Sequence, residues 1–520
     1  MPLDPQICRR AHRSRDPRFD GRFFVAVRTT GIYCRPICPA PQPRPGNVSF
    51  YPTAAAAAGA GFRPCLRCRP EAAPGTPAWL GGSAIVDRAL RLLDDGEAEG
   101  PAVEALARRV GLTPRHLNRL FHRHLGAPVG AVVRTRRLHA AKRLIDETAL
   151  PMADVAFAAG FESVRRFNAA VRRTYGRTPS ELRRAAADGR RAGGNGADGL
   201  ALRLAFRPPF DWQALIGFLG ARAIPGVEEV TGGVYRRAVA FAEGGGDAGP
   251  VVDGPAGDGS GGGPAAVPVV GGVVEVRPMP GEAALLLSVH PPLPRALPRI
   301  VARARRLFDL DADPAAVAER LGADPLLAPA FAAHPGLRLP GAWDGFELAV
   351  RAVLGQQVSV RAATTLAGRL VEAFGRPLDP VPGVRSPARL RRDGGPHRLF
   401  PRPHDLADAD LGSIGLTRAR ATTLRRLAAA TAAEELAFAG AEGAEELAAR
   451  LVRLPGIGDW TAQYVAMRAL GAPDAFPASD LGLLKAAGSG GEKTTPARLL
   501  RRAEAWRPWR AYAAICLWTM

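Results

Sequence analysis

The spacing of apolar residues divides the chain into regions of different secondary structure. Between residues 84 and 187, apolar residues recur at intervals of three and four with Gly or Pro between short runs, which predicts several amphipathic helices. From Leu200 the sequence LALRLAF alternates between apolar and polar positions, and similar patterns predict strands at 273–276 and 284–289. Helical spacing returns over 293–520. The sequence therefore predicts a multidomain protein that is mainly α-helical with an α+β part.

Three segments depart from these patterns. Residues 8–70 are rich in Pro, Arg and aromatic residues and show little periodicity, which predicts a small, loop-rich unit. Residues 188–199 have the composition of a linker, and the Gly-rich stretch 243–272 has too few apolar residues to pack, which predicts a disordered insertion. We therefore predict four units, at residues 1–76, 84–187, 200–292 and 293–520.

The charge of the chain favours a polyanionic partner. The 520 residues contain 70 Lys and Arg against 49 Asp and Glu, a net charge of +21, and residues 1–190 alone carry +16. The sequence has neither an N-terminal apolar segment nor a run of about 18 apolar residues, so it predicts neither secretion nor a membrane span. These features predict a cytoplasmic protein with reduced thiols and a polyanionic partner, such as nucleic acid or an acidic lipid surface.

Four of the six cysteines form two closely spaced pairs. Cys34 and Cys38 have three residues between them, and Cys65 and Cys68 have two. Four thiolates at this spacing suit tetrahedral Zn²⁺, and in so small a unit the metal would supply folding energy that the core cannot. The spacing alone leaves disulfides, unrelated buried thiols and a purely structural zinc as alternatives.

Two helix-turn-helix motifs follow one another in the first helical region. In the first, Gly111 ends a helix, and Thr113 with Pro114 is typical of the N-cap and first residue of the next. In the second, a turn at Gly160 precedes Ser163 as the N-cap. The outward residues on the second helix of each motif are candidates for DNA contacts: Arg115, His116, Arg119, Arg165, Arg166 and Arg172. A solvated basic helix face is the alternative interpretation.

The residues around the cysteines carry a family resemblance. The segments FVAVRTTGIYCRPICPAP and NVSFYPTAAAAAGAGFRPCLRCRP resemble the N-terminal domain of the Ada family of DNA alkylation-repair proteins. The resemblance implies that all four cysteines bind one Zn²⁺ and that Cys34 irreversibly takes a methyl group from a DNA methylphosphotriester. A zinc-bound thiolate stays deprotonated and electron-rich, which suits a nucleophile. Methylation removes one negative charge, so tighter DNA binding and transcriptional activation are expected to follow repair.

The helical region carries a second resemblance. GFESVRRFNAAVRRTYGRTPSELRR resembles the second half of an AraC-type DNA-binding domain, which contains two helix-turn-helix motifs and follows the zinc unit in Ada proteins. Neither Cys8 nor Cys516 lies in a Pro-Cys-His-Arg motif, so the second methyltransferase of Ada, which repairs guanine O6, is not predicted.

The C-terminal region contains a further candidate site. The sequence LPGIG has two glycines, Gly456 and Gly458, that permit a tight hairpin whose amides can hold a DNA phosphate. The segment FPASDLGLLKA places Asp480 at a predicted helix start about twenty residues later. By position, Asp459 and Asp474 are rival acids.

These segments resemble the helix-hairpin-helix glycosylase superfamily, and specifically AlkA-type 3-methyladenine DNA glycosylase II. FELAVRAVLGQQVSVRAA, AWRPWRAYAAICLW and the α+β unit, which would be TATA-binding-protein-like, extend the resemblance from about residue 200. It implies that the Asp480 carboxylate stabilises an oxocarbenium-like sugar while the N-glycosidic bond breaks. It also implies a pocket of Trp460, Tyr464 and Trp518 for an extruded cationic base, unless these rings are ordinary core aromatics. In this family an aliphatic residue is expected to contact DNA by filling the space that the extruded base leaves, and Gln357 stands at that position.

Together the resemblances predict a fusion of a zinc methyl acceptor, an AraC-type regulator and an alkyl-base glycosylase. Trp460 stands where bifunctional relatives carry a Schiff-base lysine, which implies a monofunctional hydrolase. The expected partners are double-stranded DNA, both alkylated and promoter DNA, and RNA polymerase, with the chain acting as a nucleoid-associated monomer in the cytoplasm. The alternative is a transcription factor with a structural zinc, whose inactive glycosylase-like half serves only as a DNA clamp.

Overall fold

The structure is a computed structural model that describes residues 4–75, 84–94, 102–189, 200–242, 269–378, 395–438, 443–488 and 493–520. Within these residues the chain is mainly helical and has two separate β-sheets, so the predicted multidomain fold class is confirmed. None of their helices is long and apolar enough to cross a membrane. The predicted linker beyond Gly189 and the predicted insertion between 243 and 268 lie outside the described residues.

The N-terminal unit is built around a small sheet. Its elements are α1 (Pro5–Ser14), β1 (Phe24–Val27), β2 (Ile32–Cys34), β3 (Val48–Tyr51), α2 (Ala54–Gly59) and β4 (Arg63–Pro64). The strand order is β3-β1-β2-β4, with β2 and β4 parallel and the other pairs antiparallel. The sequence analysis missed these strands, because strands of two to four residues are too short to show a clear alternation.

The next unit consists of seven helices arranged as two helix-turn-helix motifs about a long central helix. They are α3 (Ala84–Asp94), α4 (Ala102–Arg109), α5 (Pro114–Leu125), α6 (Val129–Glu147), α7 (Met152–Ala158), α8 (Val164–Tyr175) and α9 (Pro179–Gly189). The predicted N-caps are confirmed, since the hydroxyls of Thr113 and Ser163 accept the backbone N–H three residues onward. Gly111 and Gly160 make the turns at φ +73° and +78°, where L-residues are strained.

The α+β unit is a five-stranded antiparallel sheet with one helix in its first connection. Its elements are β5 (Leu200–Ala205), α10 (Trp212–Gly220), β6 (Glu228–Thr231), β7 (Val234–Ala242), β8 (Val269–Pro278) and β9 (Ala284–His290), in the strand order β5-β9-β8-β7-β6. The sequence pattern did not identify β6 and β7.

The start of β8 also corrects the predicted insertion. Residues 269–272 were expected to be disordered, but they pair with β7. Gly271 and Gly272 fit there because they lack a Cβ, which at Gly272 would lie 2.7 Å from the carbonyl oxygen of His290. A Gly-rich composition predicts a flexible chain, whereas these two glycines allow neighbouring backbone to approach β8 closely.

Twelve helices complete the described chain. They are α11 (Leu297–Leu307), α12 (Pro314–Leu321), α13 (Ala328–Ala333), α14 (Gly345–Leu354), α15 (Val360–Phe374), α16 (Pro403–Ala407), α17 (Arg418–Ala432), α18 (Ala444–Val452), α19 (Asp459–Ala469), α20 (Leu481–Ala486), α21 (Pro496–Ala503) and α22 (Arg510–Thr519). Their apolar faces form the largest core of the molecule, from α12 to α22. This core fixes the relative positions of α14, α19, α20 and α22, which carry the second candidate site.

The units share packing rather than standing apart. One hydrophobic core joins buried residues of α6–α9, such as Ile145 and Phe167, to Leu202 and Leu287 of the five-stranded sheet and to Ile300 of α11. Burial of apolar surface is the main favourable term in folding. The helix-turn-helix unit and the α+β unit therefore stabilise each other.

A buried arginine joins the N-terminal unit to the α+β unit. The Arg207 side chain is fully buried and donates from Nε to the carbonyl oxygen of Asp20 at 2.9 Å and from Nη1 to that of Asp311 at 2.7 Å. Its Nη2 donates to the carbonyl oxygen of Gly75. Arg22 adds an ion pair to buried Asp313, at 3.1 Å. A buried guanidinium is tolerated here because carbonyl oxygens of the N-terminal unit and of the segment after α11 accept its hydrogens.

Candidate functional site

The four paired cysteines form a compact cluster at one end of the small sheet. Cys34 is the last residue of β2, and Cys65 directly follows β4, which is parallel to β2. The four Sγ atoms all lie within 4.8 Å of one another, and all six cysteines of the chain are free. Four thiolates at 2.3 Å from a zinc ion would stand about 3.8 Å apart, so the cluster fits a tetrahedral Zn²⁺. No other such metal-binding group occurs among the described residues.

The four thiols differ in accessibility. Cys38, Cys65 and Cys68 are buried with 6–8% of their surface exposed, whereas Cys34 is only half-buried. A thiol must meet its reaction partner to act as a nucleophile. Cys34 is thus the cysteine of the cluster that an external group can approach most readily.

Arg35 fixes the position of Cys34 relative to the other ligands. Its backbone N–H donates to Cys68 Sγ at 3.3 Å, and its Nη1 donates to the Cys68 carbonyl oxygen at 3.2 Å. Its guanidinium also forms an ion pair with buried Asp20, with Nε 2.9 Å from Oδ1. Hydrogen bonds of this kind orient metal ligands, and the sequence analysis did not identify Arg35 for this role.

The helix-turn-helix candidates lie on α5 and α8, the second helix of each motif. The side chains of Arg115, Arg119, Arg165, Arg166 and Arg172 are exposed, and His116 is half-buried. Each helix is held from below by buried apolar residues, among them Leu117 and Phe121 in α5 and Phe167 and Val171 in α8. Arg166 forms an ion pair with Glu162.

The LPGIG segment forms a hairpin between α18 and α19. Gly456 has φ +94°, and a Cβ there would lie 2.0 Å from Thr423 Oγ1, so only glycine fits. Gly458 is the N-cap of α19, and a Cβ on it would meet nothing within 4 Å. The hairpin is anchored by buried Ile457 and open in front of the helix N-terminus, where a phosphate could approach.

Asp480 is the N-cap of α20, and three N–H groups hold its carboxylate. Trp460 Nε1 donates to Oδ2 at 2.9 Å, and Trp518 Nε1 donates to Oδ1 at 2.9 Å. The backbone N–H of Leu483 donates to Oδ1 at 3.1 Å. These three hydrogen bonds fix the direction in which the carboxylate points.

The predicted aromatic residues surround a cavity of about 310 Å³. Trp460 and Tyr464 are one turn apart on α19, and their rings stack with centroids 5.5 Å apart and planes at 12°. Trp518, on α22, meets Tyr464 edge to face and stacks on Phe218 of α10. Asp480 lines the same cavity. The structure thus brings together all four residues that the sequence analysis assigned to a base pocket and its acid.

Three arginines of the cavity were not predicted. They are Arg222, Arg351 and Arg468. Arg468 donates from Nη1 to the Tyr464 hydroxyl at 2.6 Å. Burial would raise the pKa of that hydroxyl, but the positive charges of Arg468 and Arg222 outweigh it and lower the pKa. Helical spacing from Trp460 and Tyr464 could have pointed to Arg468, which is four residues further on, whereas no local pattern points to Arg222.

The rival acids lie elsewhere. Asp474 forms ion pairs with Arg507 and with Arg510, whose Nε is 2.8 Å from Oδ1. Asp459 is exposed at the first residue of α19, and neither acid lines the cavity.

Gln357 lies on the turn between α14 and α15. It is exposed and has φ +58°. Its neighbour Val358 is 37% exposed and lines the cavity mouth, as does Val360. The sequence analysis did not identify either valine.

Four family models match successive parts of the chain and define its class. Their descriptions are "Metal binding domain of Ada" over residues 7–71, "Helix-turn-helix domain" over 106–185, "AlkA N-terminal domain" over 201–344, and "HhH-GPD superfamily base excision DNA repair protein" over 350–511. The order is that of a fused alkylation-damage regulator and DNA repair protein, as the sequence predicts. The four cysteines of the metal-binding domain form one Zn²⁺ site.

Relatives specify the family. The chain is 43% identical over 516 residues to the "Probable bifunctional transcriptional activator/DNA repair enzyme AlkA" of Mycobacterium tuberculosis (strain CDC 1551 / Oshkosh), an alignment that covers 99% of this chain and 96% of that protein. Over 318 residues, 61% of this chain, it is 35% identical to "DNA-3-methyladenine glycosylase 2" of Escherichia coli (strain K12), covering 95% of that protein. The chain belongs to the family of bifunctional transcriptional activator/DNA repair enzymes that join Ada-type and AlkA-type halves.

The N-terminal half has its own relative. Over 109 residues, 21% of this chain, it is 50% identical to the "Bifunctional transcriptional activator/DNA repair enzyme Ada" of Escherichia coli (strain K12). This match spans 29% of that protein.

Proposed function

We propose that this chain repairs alkylated DNA by two chemistries and uses the first as a signal for transcription. The observation that carries the proposal is that one chain holds two accessible electron-rich groups. One is Cys34, the half-buried thiol of the four-cysteine cluster. The other is the Asp480 carboxylate, which lies in an aromatic cavity behind a phosphate-binding type of hairpin. A DNA clamp without catalysis would not need such a carboxylate.

The first chemistry is methyl transfer to Cys34 Sγ. When bound, Zn²⁺ keeps the four thiols deprotonated at neutral pH. Cys34 Sγ attacks the methyl carbon of a methylphosphotriester, the S–C bond forms, and the C–O bond breaks with its electron pair going to the phosphodiester. Arg35 holds the sulfur cluster while one ligand changes from thiolate to thioether. The reaction consumes Cys34, so each chain accepts one methyl group.

The signal follows from charge. Methylation removes one negative charge from a surface that faces phosphates, and DNA binding is dominated by such charges. The exposed arginines of α5 and α8 then hold promoter DNA in both helix-turn-helix motifs. We propose that the methylated chain acts there as an activator, as a monomer in the cytoplasm and nucleoid, with RNA polymerase as its further partner.

The second chemistry is hydrolysis of the N-glycosidic bond of an alkylated base such as 3-methyladenine. The extruded base, which carries positive charge, stacks against Trp460, Tyr464 and Trp518. It leaves with the bonding electrons and becomes neutral, so no general acid is required. Asp480 stabilises the positive charge that develops on the sugar, and water adds to the sugar carbon. The absence of lysine from the hairpin supports a hydrolase without lyase action.

One experiment tests both chemistries together. The full chain is incubated with DNA that contains methylphosphotriesters and 3-methyladenine, followed by mass spectrometry of tryptic peptides and chromatography of free bases. The proposal expects one methyl adduct on the Cys34 peptide and repeated release of 3-methyladenine. An unmodified Cys34 peptide would contradict the first chemistry, and the absence of released base would favour the inactive clamp.

A further inference from the structure

The turn between α14 and α15 has a backbone that must be held in place by its surroundings. Gln357, at its tip, has φ +58°, a conformation that costs a non-glycine residue about 1 kcal/mol. Such strain persists only where neighbouring groups fix it, and it is common where function requires one geometry. The turn is exposed and borders the cavity through Val358.

The support comes from two side chains behind the turn. Gln356 Nε2 donates to the carbonyl oxygen of Gly456 at 3.0 Å and to Thr461 Oγ1 at 3.1 Å, which ties the turn to the hairpin and to α19. Arg420 Nη2, on α17, donates to the carbonyl oxygen of Gln356 at 2.7 Å. The turn is therefore held through both its backbone and its side chain.

The same helix also holds the hairpin. Thr423, three residues after Arg420 on α17, donates from Oγ1 to the carbonyl oxygen of Pro455 at 3.0 Å and packs against Gly456. The turn, the hairpin and α17 are thus connected pairwise. None of these bonds involves the cavity floor or Asp480.

We propose that Gln356 and Arg420 are positioning residues that hold the hairpin and the Gln357 turn in a fixed position relative to each other. On this inference, which rests on the proposed glycosylase function, capture of a phosphate at 456–458 sets the depth to which Gln357 and Val358 enter the duplex. Extruding a paired base costs a few kcal/mol. Binding energy from the phosphate contact can offset this cost only if the turn that enters the duplex keeps its position. The two residues would thus help to open base pairs without touching the reacting atoms.

The test compares a lesion in a stable base pair with the same lesion left unpaired in a bulge. The inference expects Gln356→Glu, which keeps the size of the side chain but removes its N–H donors, and Arg420→Ala to slow single-turnover excision of the paired lesion by about tenfold. Excision of the bulged lesion should change little, because that base is already free of its partner. Arg420→Lys, which keeps a donor, should restore much of the rate on paired DNA.

Arg425→Ala is the matched control, since Arg425 also lies on α17 but donates to the carbonyl oxygen of Ala409. It should leave both rates unchanged. Equal loss of both rates in Gln356→Glu and Arg420→Ala would indicate a merely structural role, and no loss in either would show that the bonds are dispensable; each result overturns the inference. If the wild-type chain excises neither lesion, the proposed glycosylase function itself is wrong. The wild-type measurements therefore distinguish this outcome from a failure of the inference.

Discussion

The cysteine cluster and the Asp480 cavity each hold an electron-rich group, but they hold it by different means. The cluster assembles four thiols from two sequence pairs and relies on a metal to keep them electron-rich. The cavity needs no metal, because three N–H groups from three helices hold one carboxylate. In the function proposed above, the first group is consumed in a single reaction and so can record damage, whereas the second is regenerated and can act repeatedly. The chain therefore joins a sensor with a catalyst.

The largest effect is expected when the acceptor sulfur is removed. We expect Cys34→Ser to lose the methyl adduct completely, because a serine hydroxyl stays protonated and is a far weaker nucleophile. Excision of 3-methyladenine should continue. Mass spectrometry and base release on the same sample provide both readouts, with Cys8→Ser, a buried thiol outside the cluster, as the control. A methyl group on another cysteine of the Cys34→Ser chain would refute the assignment.

The corresponding change in the cavity is Asp480→Asn. It should slow base excision by about 100- to 1000-fold, because the amide cannot stabilise a positive sugar as a carboxylate does. Methyl transfer to Cys34 should remain at the wild-type level. Single-turnover release of 3-methyladenine measures the effect, and the exposed Asp459→Asn serves as the control. Equal rates for wild type and Asp480→Asn would remove the mechanism.

A smaller effect is expected from the groups that orient the carboxylate. Trp518→Phe keeps an aromatic ring but removes the N–H that donates to Asp480, so excision should slow by about tenfold. Trp506→Phe also removes an indole N–H, which donates to Asp324, and should spare the excision rate. If the two variants slow excision equally, the indole bond to Asp480 has no special role.

The smallest effect on activity is expected at the contact between the halves. Arg207→Met leaves four carbonyl oxygens without this donor, which should lower the free energy of unfolding by about 2–4 kcal/mol. Both repair activities should persist below the unfolding transition. Urea titration followed by tryptophan fluorescence measures the change. A variant as stable as wild type would show that the contact is not maintained in solution.

Local signals in the sequence identified the two cysteine pairs and the caps Thr113 and Ser163, because each depends on residues only a few positions apart. Spacing alone left the use of the cysteines open, and Trp460 and Tyr464 were assigned to the cavity through the family resemblance. Asp480 was identified through its motif, and the structure adds that Trp460 and Trp518 donate to it.

Features that depend on distant partners were not predictable. Arg222 reaches the cavity from the turn after α10, more than two hundred residues before α19, and no periodic pattern in the sequence indicates such a distant contact. The short strands of the N-terminal sheet fall below the length at which alternation is distinctive. Gly271 and Gly272 were misassigned because composition does not distinguish a glycine that permits close pairing from one that loosens a chain.

The hydrophobic core that runs from α6–α9 into the five-stranded sheet limits how the protein can be divided. Proteolysis or gene splitting within residues 190–199 would leave each piece with a bare apolar face that the other normally covers, and such faces drive aggregation. Separate expression of the two halves would then require compensating polar substitutions on both surfaces. The helix-turn-helix unit and the α+β unit of the glycosylase half thus depend on each other for folding.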